Sequence, residues 1–148
     1  MGSVHPRLEV VMVPVSDVDR SIAFYRDQVG LRLDVDWSPD PGYRVVQLTP
    51  TGSDAVSIQF GVGVTDAVPG SLRGTYLVVD DLAAAMNFLQ GNGVKVSGPR
   101  HKDISSGEWG GAYAEGIDEA HADRASFADF SDPDGNTWTL QEVGYGSS

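Results

Sequence analysis

Two histidines in the second half of the chain are the side chains best suited to move protons near neutral pH. His101 and His121 both lie in a glycine-rich stretch, where Asp103, Asp118 and Asp123 are available to orient an imidazole. General acid–base catalysis needs a group that titrates near the working pH, and histidine is that group. No spacing fixes their geometry, so catalysis by His101 or His121 stands beside the alternative of solvated surface histidines.

Several other kinds of site are missing from the sequence. The chain has no cysteine, which excludes a disulfide framework, a thiolate metal site and a cysteine nucleophile. Gly61-Val62-Gly63 lacks both the third glycine and the strand–turn–helix setting of a dinucleotide-binding loop. We therefore expect no cofactor, and we look for a binding or acid–base function instead.

Composition narrows the class of partner. The 148 residues carry a net charge of −11, which argues against a nucleic-acid partner because phosphate binding requires a basic face. No apolar run approaches the roughly 18 residues of a membrane span, and residues 1–7 contain no apolar signal core. We expect a cytoplasmic protein with an aromatic or cationic small-molecule ligand.

The elements that must position these residues follow one order in the first half. An apolar strand, 8–13, precedes a helix that is capped by Ser16 or Asp17, carries apolar residues at helical spacing and ends at Gly30. Three strands are predicted after it: 31–37, 43–48 and 55–60.

The second half repeats this order. A strand at 75–79 leads into a helix capped by Asp80 or Asp81 and stopped by Gly91 and Gly93. The remaining predicted strands are 94–97, 125–130 and 137–143. Between the last two lies the turn sequence Asp132-Pro133-Asp134-Gly135-Asn136.

The two halves match residue by residue. Asp17 and Asp81 are 64 positions apart, and at that offset the apolar helix positions coincide. This predicts an α+β fold of two tandem βαβββ modules, 7–61 and 73–145, in one domain with an open, curved mixed β-sheet cavity. The alternative is two similar helices arising by chance in an α+β protein. The segment 98–123 has no periodicity and is predicted as a long loop, either a lid or unstructured.

Three stretches carry a resemblance to a known family. They are Val13-Pro14-Val15-Ser16-Asp17, the helix sequence 21–27 with Gly30-Leu31, and the Asp-Pro-Asp-Gly-Asn turn at 132–136. Together they resemble the glyoxalase, bleomycin-resistance and extradiol-dioxygenase superfamily, also called the vicinal-oxygen-chelate group. The resemblance covers nearly the whole chain apart from 98–123. It implies the fold, and commonly a homodimer, but it does not imply one activity because the group has many.

Enzymes of that group hold a divalent metal with one side chain from each of four strands. Carried over from the resemblance, these positions are occupied here by Val10, Gln59, Gly74 and Thr139. Valine and glycine side chains offer no lone pair, and an amide with a hydroxyl is a poor set for a catalytic divalent ion. The resemblance therefore implies a family member without the family's metal.

Without a metal, the inward positions suit an organic ligand. The predicted ligand-binding residues share a polar, aromatic or thioether side chain near those positions or in the loop: Met12, Trp37, Gln47, Ser57, Gln59, Tyr76, Trp109, Arg124, Thr139 and Gln141. For each, packing or hydrogen bonding inside the core is the alternative, and for Trp37 core packing is favoured.

Three functions remain open at this stage. The first is a metal-free small-molecule-binding protein that sequesters a drug or metabolite, as the resemblance to bleomycin-resistance proteins implies. The second is a metal-independent isomerase, epimerase or lyase that uses acid–base side chains. The third is a glyoxalase-like lyase or dioxygenase whose metal has moved to Glu9 or the loop histidines.

Overall fold

The chain divides into two compact units, each built around its own sheet. The computed structural model describes residues 4–51, 56–102 and 112–144. Unit 1 is Met1–Ser71 and unit 2 is Leu72–Ser148. Among the residues that the structure describes, neither helix has the length and apolar composition needed to cross a membrane.

Unit 1 is a four-stranded mixed sheet with one helix. In chain order its elements are β1 (Val10–Met12), α1 (Val18–Ile22), a π-helical continuation of α1 (Ala23–Gln28), β2 (Arg32–Asp40), β3 (Tyr43–Thr49) and β4 (Ser57–Val62). The strand order is β1-β4-β3-β2, with β1 parallel to β4 and the other pairs antiparallel. The core lies between sheet and helix, where the ring of Tyr25 packs 5.8 Å from that of Phe60.

Unit 2 has the same plan with one additional strand. Its elements are β5 (Thr75–Val79), α2 (Leu82–Gly91), β6 (Val96–Lys102), β7 (Tyr113–Glu115), β8 (Ser126–Ser131) and β9 (Thr137–Glu142). The strand order is β5-β9-β8-β6-β7, with only β5 and β9 parallel among the described pairs. Its core includes Leu82, Phe130 and Trp138, all buried.

Helix caps show how closely the halves correspond. Asp17 accepts a hydrogen bond from the backbone N–H of Arg20, and Asp81 accepts one from that of Ala84. The two cap residues have nearly identical backbone angles, φ −135° and ψ 105° against φ −140° and ψ 106°. The prediction of an α+β fold with two modules of the same design is therefore confirmed.

The segment 98–123 is less irregular than the sequence predicts. Strand β6 extends to Lys102 rather than ending at Ser97, and β7 forms a short edge strand at Tyr113–Glu115. The prediction of a structureless loop is wrong for these residues. Pairing with β8 supplies the context that local propensity does not, and a register shift after Ser97 hides the alternation. Residues 103–111 lie outside the described ranges.

Candidate functional site

The face of the unit 1 sheet opposite α1 carries all of the predicted ligand-binding residues of that half. We call it the open face of unit 1. Strand alternation and register place these residues on it: Val10, Met12, Val35, Trp37, Val45, Gln47, Thr49, Ser57 and Gln59. Phe60, which alternates with Gln59, faces the helix instead. Five residues that the sequence predicted as ligand contacts thus share one surface: Met12, Trp37, Gln47, Ser57 and Gln59.

Two side-chain amides stand side by side in the middle of this face. Gln47 and Gln59 are register partners across β3 and β4, and Met12 is the partner of Gln59 on β1. Both glutamines are half-buried, and no hydrogen bond joins either side-chain amide to another described residue. Each amide offers two donors and an acceptor, so this pair can recognise hydroxyl, carbonyl or amide groups of a ligand.

A chain of hydroxyls leads from a carboxylate to Ser57. Thr49 donates its hydroxyl proton to Asp34, and the Thr49 and Ser57 oxygens are 2.7 Å apart. The hydrogen bond from Arg32, and to a lesser extent the one from Thr49, holds the pKa of Asp34 below its usual range. Because the proton of Thr49 is used on Asp34, Ser57 must donate to Thr49, which leaves its lone pairs as acceptors.

Trp37 lies on the surface rather than in the core. Trp37 pairs in register with Val45 of β3, and its side chain is 57% exposed. Its ring packs edge-on against that of Tyr43, with centroids 6.0 Å apart. Core packing, which the sequence favoured for Trp37, is therefore wrong. Strand β2 is an edge strand, so its open-face residues have a neighbour on one side only.

The corresponding face of unit 2, opposite α2, holds a cluster of aromatic rings. We call it the open face of unit 2, and we define the aromatic cluster as Tyr76, Tyr113 and Phe127. Phe127 is buried at the centre, with the ring of Tyr76 at 6.2 Å and that of Tyr113 at 5.8 Å, both edge-on. Tyr76 is 52% and Tyr113 48% exposed. The two tyrosines therefore present large aromatic surface to a ligand.

Cations and a carboxylate surround this cluster. The Arg100 guanidinium lies 4.9 Å from the Tyr113 ring centroid and forms a salt bridge with Asp129, while the Lys102 ammonium lies 4.1 Å from the same ring. Partial burial opposes the charge on Arg100, but the hydrogen bond and attraction to Asp129 leave its pKa raised. Thr139 donates a hydrogen bond of 2.9 Å to Asp129, so this carboxylate is engaged by both Arg100 and Thr139 within the face.

The remaining predicted ligand contacts divide between this face and elsewhere. Gln141 is the register partner of Phe127 on the open face of unit 2, and its amide donates to the carbonyl of Arg124 over 3.2 Å. Arg124 itself is exposed in the turn before β8, with a positive φ of 61°, and is not on that face. Trp109 lies outside the described residues.

Both candidate catalytic histidines lie away from the open face of unit 2. His101 pairs in register with Ser126, whose neighbour Phe127 faces the other way, and its Nδ1 is 2.7 Å from the carbonyl oxygen of Gly116. His121 Nδ1 is 2.8 Å from Oε1 of the fully buried Glu142, whose Oε2 accepts the N–H of Leu82 at the start of α2. Both histidines are therefore on the side of the sheet that bears the helix.

The family's metal does not fit the residues at its ligand positions. In unit 1, Val10 offers no lone pair and Gln59 a single neutral amide. In unit 2, Thr139 offers only a neutral hydroxyl, and Gly74 has no side-chain donor and a positive φ of 69°, a backbone conformation that residues with a side chain rarely adopt. Within the described ranges, no three His, Cys, Asp or Glu side chains cluster to hold an ion.

A shallow cavity of about 310 Å³ lies in unit 1 beyond the ends of the parallel strands β1 and β4. Three of its lining side chains are polar, and the full lining consists of Val13, Pro14, Val15, Ser16, Gly61, Val62, Gly63, Thr65, Asp66, Ala67 and Pro69. It shares no residue with the predicted ligand contacts, so the open faces remain the candidate site.

Sequence reasoning missed four residues of the open face of unit 2. Phe127 and Asp129 alternate with buried residues in a strand that was predicted, so strand periodicity alone places them on one face. A carboxylate in that apolar strand was a signal for a polar partner. Arg100 and Tyr113 fell in the segment taken for a loop, and no local pattern reveals them.

Comparisons with known proteins agree on one family. The profile of the Glyoxalase/Bleomycin resistance protein/Dioxygenase superfamily matches residues 7–140. No curated protein matches the chain significantly.

Solved structures give more specific likenesses. TnmS3, an antibiotic binding protein from Streptomyces sp. CB03234, is 31% identical, with 97% of this chain and 100% of that chain covered and a TM-score of 0.72. A glyoxalase/bleomycin resistance protein from the same Streptomyces strain is 32% identical, with 91% and 99% covered and a TM-score of 0.67. A superfamily member from Sphaerobacter thermophilus DSM 20745 is 25% identical, with 93% and 98% covered and a TM-score of 0.70.

Proposed function

This chain belongs to the glyoxalase/bleomycin resistance protein/dioxygenase superfamily, and from that membership we propose that it binds and sequesters a drug-like compound or metabolite without a metal ion. The likeness to TnmS3 over 97% of the chain supports a ligand of the antibiotic kind. The ligand is held by aromatic and amide side chains and leaves chemically unchanged.

The observation that carries the proposal is the chemistry of the open faces. Where enzymes of the family place metal ligands, this chain has Val10, Gln59, Gly74 and Thr139, and beside them lie exposed aromatic rings and amides. Aromatic rings give large contact area at small entropic cost, and a few polar groups fix ligand orientation. Such a surface binds flat organic molecules but supplies no Lewis acid of its own.

An approximate affinity follows from ligand size. Drug-sized ligands gain about 0.3 kcal/mol per non-hydrogen atom, so a compound of about 25 such atoms binds with roughly 7–8 kcal/mol. That corresponds to a dissociation constant in the micromolar range. Sequestration at that affinity requires protein concentrations comparable with those of the ligand.

Titration against a panel of aromatic antibiotics tests the proposal. We expect saturable binding in calorimetry, no effect of a chelator, and quantitative recovery of the unchanged compound by liquid chromatography and mass spectrometry. Trp37→Ala should weaken binding about tenfold, because a stacked aromatic anchor is worth more than 1 kcal/mol. Phe88→Ala is the matched control, since Phe88 on α2 is 53% exposed against 57% for Trp37.

Conversion of a bound compound at catalytic protein concentration would contradict sequestration. So would equal effects of Trp37→Ala and Phe88→Ala, because the two side chains are similarly exposed but only Trp37 lies on an open face. A stoichiometric transition metal in protein purified without a histidine tag would instead favour a lyase or dioxygenase with a displaced metal.

A second candidate function is metal-independent acid–base catalysis by His121. The observation that favours it is the buried carboxylate of Glu142, 2.8 Å from Nδ1, which would orient and polarise the imidazole. It predicts pH-dependent turnover that chelators do not affect and that His121→Ala abolishes. The location of His121 on the helix-bearing side argues for sequestration as the first candidate.

The same proposal includes a homodimer in the cytoplasm, as in the sequence expectation. Size-exclusion chromatography with light scattering tests the dimer, with a mass of one chain as the contrary result. Ligand binding by each unit does not depend on that outcome, because the contacts described above lie within single units.

A further inference from the structure

The charges on the two open faces cancel within each face. On the open face of unit 1, the charged residues are Arg32 and Asp34, and they form a salt bridge of 2.7 Å. The open face of unit 2 carries two cations and two carboxylates: Arg100, Lys102, Glu115 and Asp129. Each described face thus sums to zero in a chain whose net charge is −11.

The cations of unit 2 are also committed to partners. Arg100 is held by Asp129 and lies over the rings of Tyr113 and Phe127, and the Lys102 ammonium lies over Tyr113. Breaking such a pair to serve a ligand leaves a partly buried charge without compensation. An anionic ligand would therefore have to compete with Asp129 for Arg100.

On the open face of unit 1, by contrast, uncharged hydrogen-bonding side chains are available to a ligand. Gln47 and Gln59 have no side-chain hydrogen bond to another described residue, and Ser57 has its acceptor lone pairs left over. A polar ligand group that docks here exchanges its water contacts for amide or hydroxyl contacts. A charged group makes the same exchange at far greater cost, because no spare counter-charge awaits it.

We infer that the ligand is an uncharged aromatic compound, whose hydroxyl, carbonyl or amide groups pair with Gln47, Gln59 and Ser57 on the open face of unit 1. This inference rests on the proposed binding function and narrows its ligand class. It keeps the aromatic part of the expectation from sequence and departs from the cationic part, to which the net charge and the resemblance to bleomycin-resistance proteins pointed. That net charge acts through long-range attraction, which salt screens, whereas the pairing of groups on the face is local.

Three probes that share a naphthalene ring but differ in charge test this inference: neutral 2-naphthol, anionic 2-naphthoate and cationic 2-naphthylmethylammonium. Dissociation constants are measured by calorimetry near pH 7 at low salt and at about 0.3 M NaCl, where charges beyond several ångströms are screened. At high salt we expect 2-naphthol to bind at least about tenfold more tightly than either ion. Any preference for the ammonium at low salt should disappear with added salt.

Gln59→Glu places a spare carboxylate on the open face and should reverse the preference. We expect the ammonium to gain about tenfold at high salt and 2-naphthol to lose affinity. The matched control is Gln90→Glu, the same change on an exposed position of α2, which should leave all three constants unchanged. Circular dichroism verifies that each variant is folded. If Gln59→Glu does not fold, the three dissociation constants of the wild-type protein decide the question.

The two proposals fail differently. If none of the three probes binds saturably, the binding function itself is contradicted. If the probes bind but the ammonium or the naphthoate remains tightest at 0.3 M NaCl, the function stands and the inference of an uncharged ligand is overturned.

Discussion

The close approach of β3 and β4 at Gly61 gives the sharpest test of how the open face of unit 1 is held. A Cβ added at Gly61 would lie 1.8 Å from the carbonyl oxygen of Arg44, 2.8 Å from its carbonyl carbon and 3.3 Å from Cα of Val45. All three atoms belong to backbone, so no side chain can rotate away. Gly61→Ala must therefore push the two strands apart or distort one of them.

The magnitude follows from that overlap. Non-bonded heavy atoms prefer about 3.5–4.0 Å, so relief requires a shift of more than about 1 Å, which breaks ladder hydrogen bonds near 2.9 Å. Two lost bonds at about 1 kcal/mol each, with about 1–3 kcal/mol of overpacking, exceed the gain of up to about 1 kcal/mol from a stiffer unfolded chain. We expect a net loss of about 3 kcal/mol.

Calorimetric melting with a paired variant measures this loss. A destabilisation of about 3 kcal/mol lowers Tm by roughly 10 °C in a chain of this size. Gly91→Ala is the control, because a Cβ at the end of α2 meets nothing within 4 Å and should raise Tm slightly. Gly61→Ala should also weaken the binding of 2-naphthol, because Gln59 is only two residues away along β4. A Tm within about 2 °C of wild type would refute the described approach of the strands.

Three further outcomes are expected. Glu142→Leu should cost about 2–5 kcal/mol in urea unfolding, because it leaves the Leu82 N–H and the imidazole of His121 without their buried partner, and Glu142→Gln should cost less. The hydrogen bond from Arg44 holds the pKa of Asp36 below its usual value, so the folded state binds that proton less tightly than the unfolded chain. This stabilisation is present above about pH 4 and is lost as the pH falls, so Arg44→Met should lower the urea midpoint near pH 7, and the difference from wild type should shrink as the pH falls below about 4.

The sequence predicted those elements whose local residue pattern matches the structure that they form in the folded chain. The caps Asp17 and Asp81 lie at the spacing from which the repeat was predicted, and the apolar helix positions match at the same offset. Strand β5 was predicted with its observed bounds. Strand β7 was not, because an edge strand of three exposed residues carries no alternation and forms through pairing with β6 alone.

The candidate site was readable only where a strand had been recognised. Alternation along β4 and β9 placed Gln59 and Thr139 on their faces, and the register agrees. The exposure of Trp37 could not be read, because whether a strand lies at the edge of a sheet is a property of topology. Nor could the engagement of Arg100 by Asp129 be read, since the partners are 29 residues apart and meet through the pairing of β6 with β8.

The distribution of charge shows that the carboxylates behind the net charge and the groups that recognise the ligand are different residues. Carboxylates of the chain serve helix caps at Asp17 and Asp81, turn hydrogen bonds at Asp132, and the buried contact of Glu142 with α2. None of these lies on an open face, so the acidity that they give the chain does not define the ligand. Recognition then depends on rings and neutral amides, whose contacts salt does not screen. An affinity for the ligand that fell steeply with ionic strength would contradict this separation, because it would show that the outlying carboxylates take part in binding.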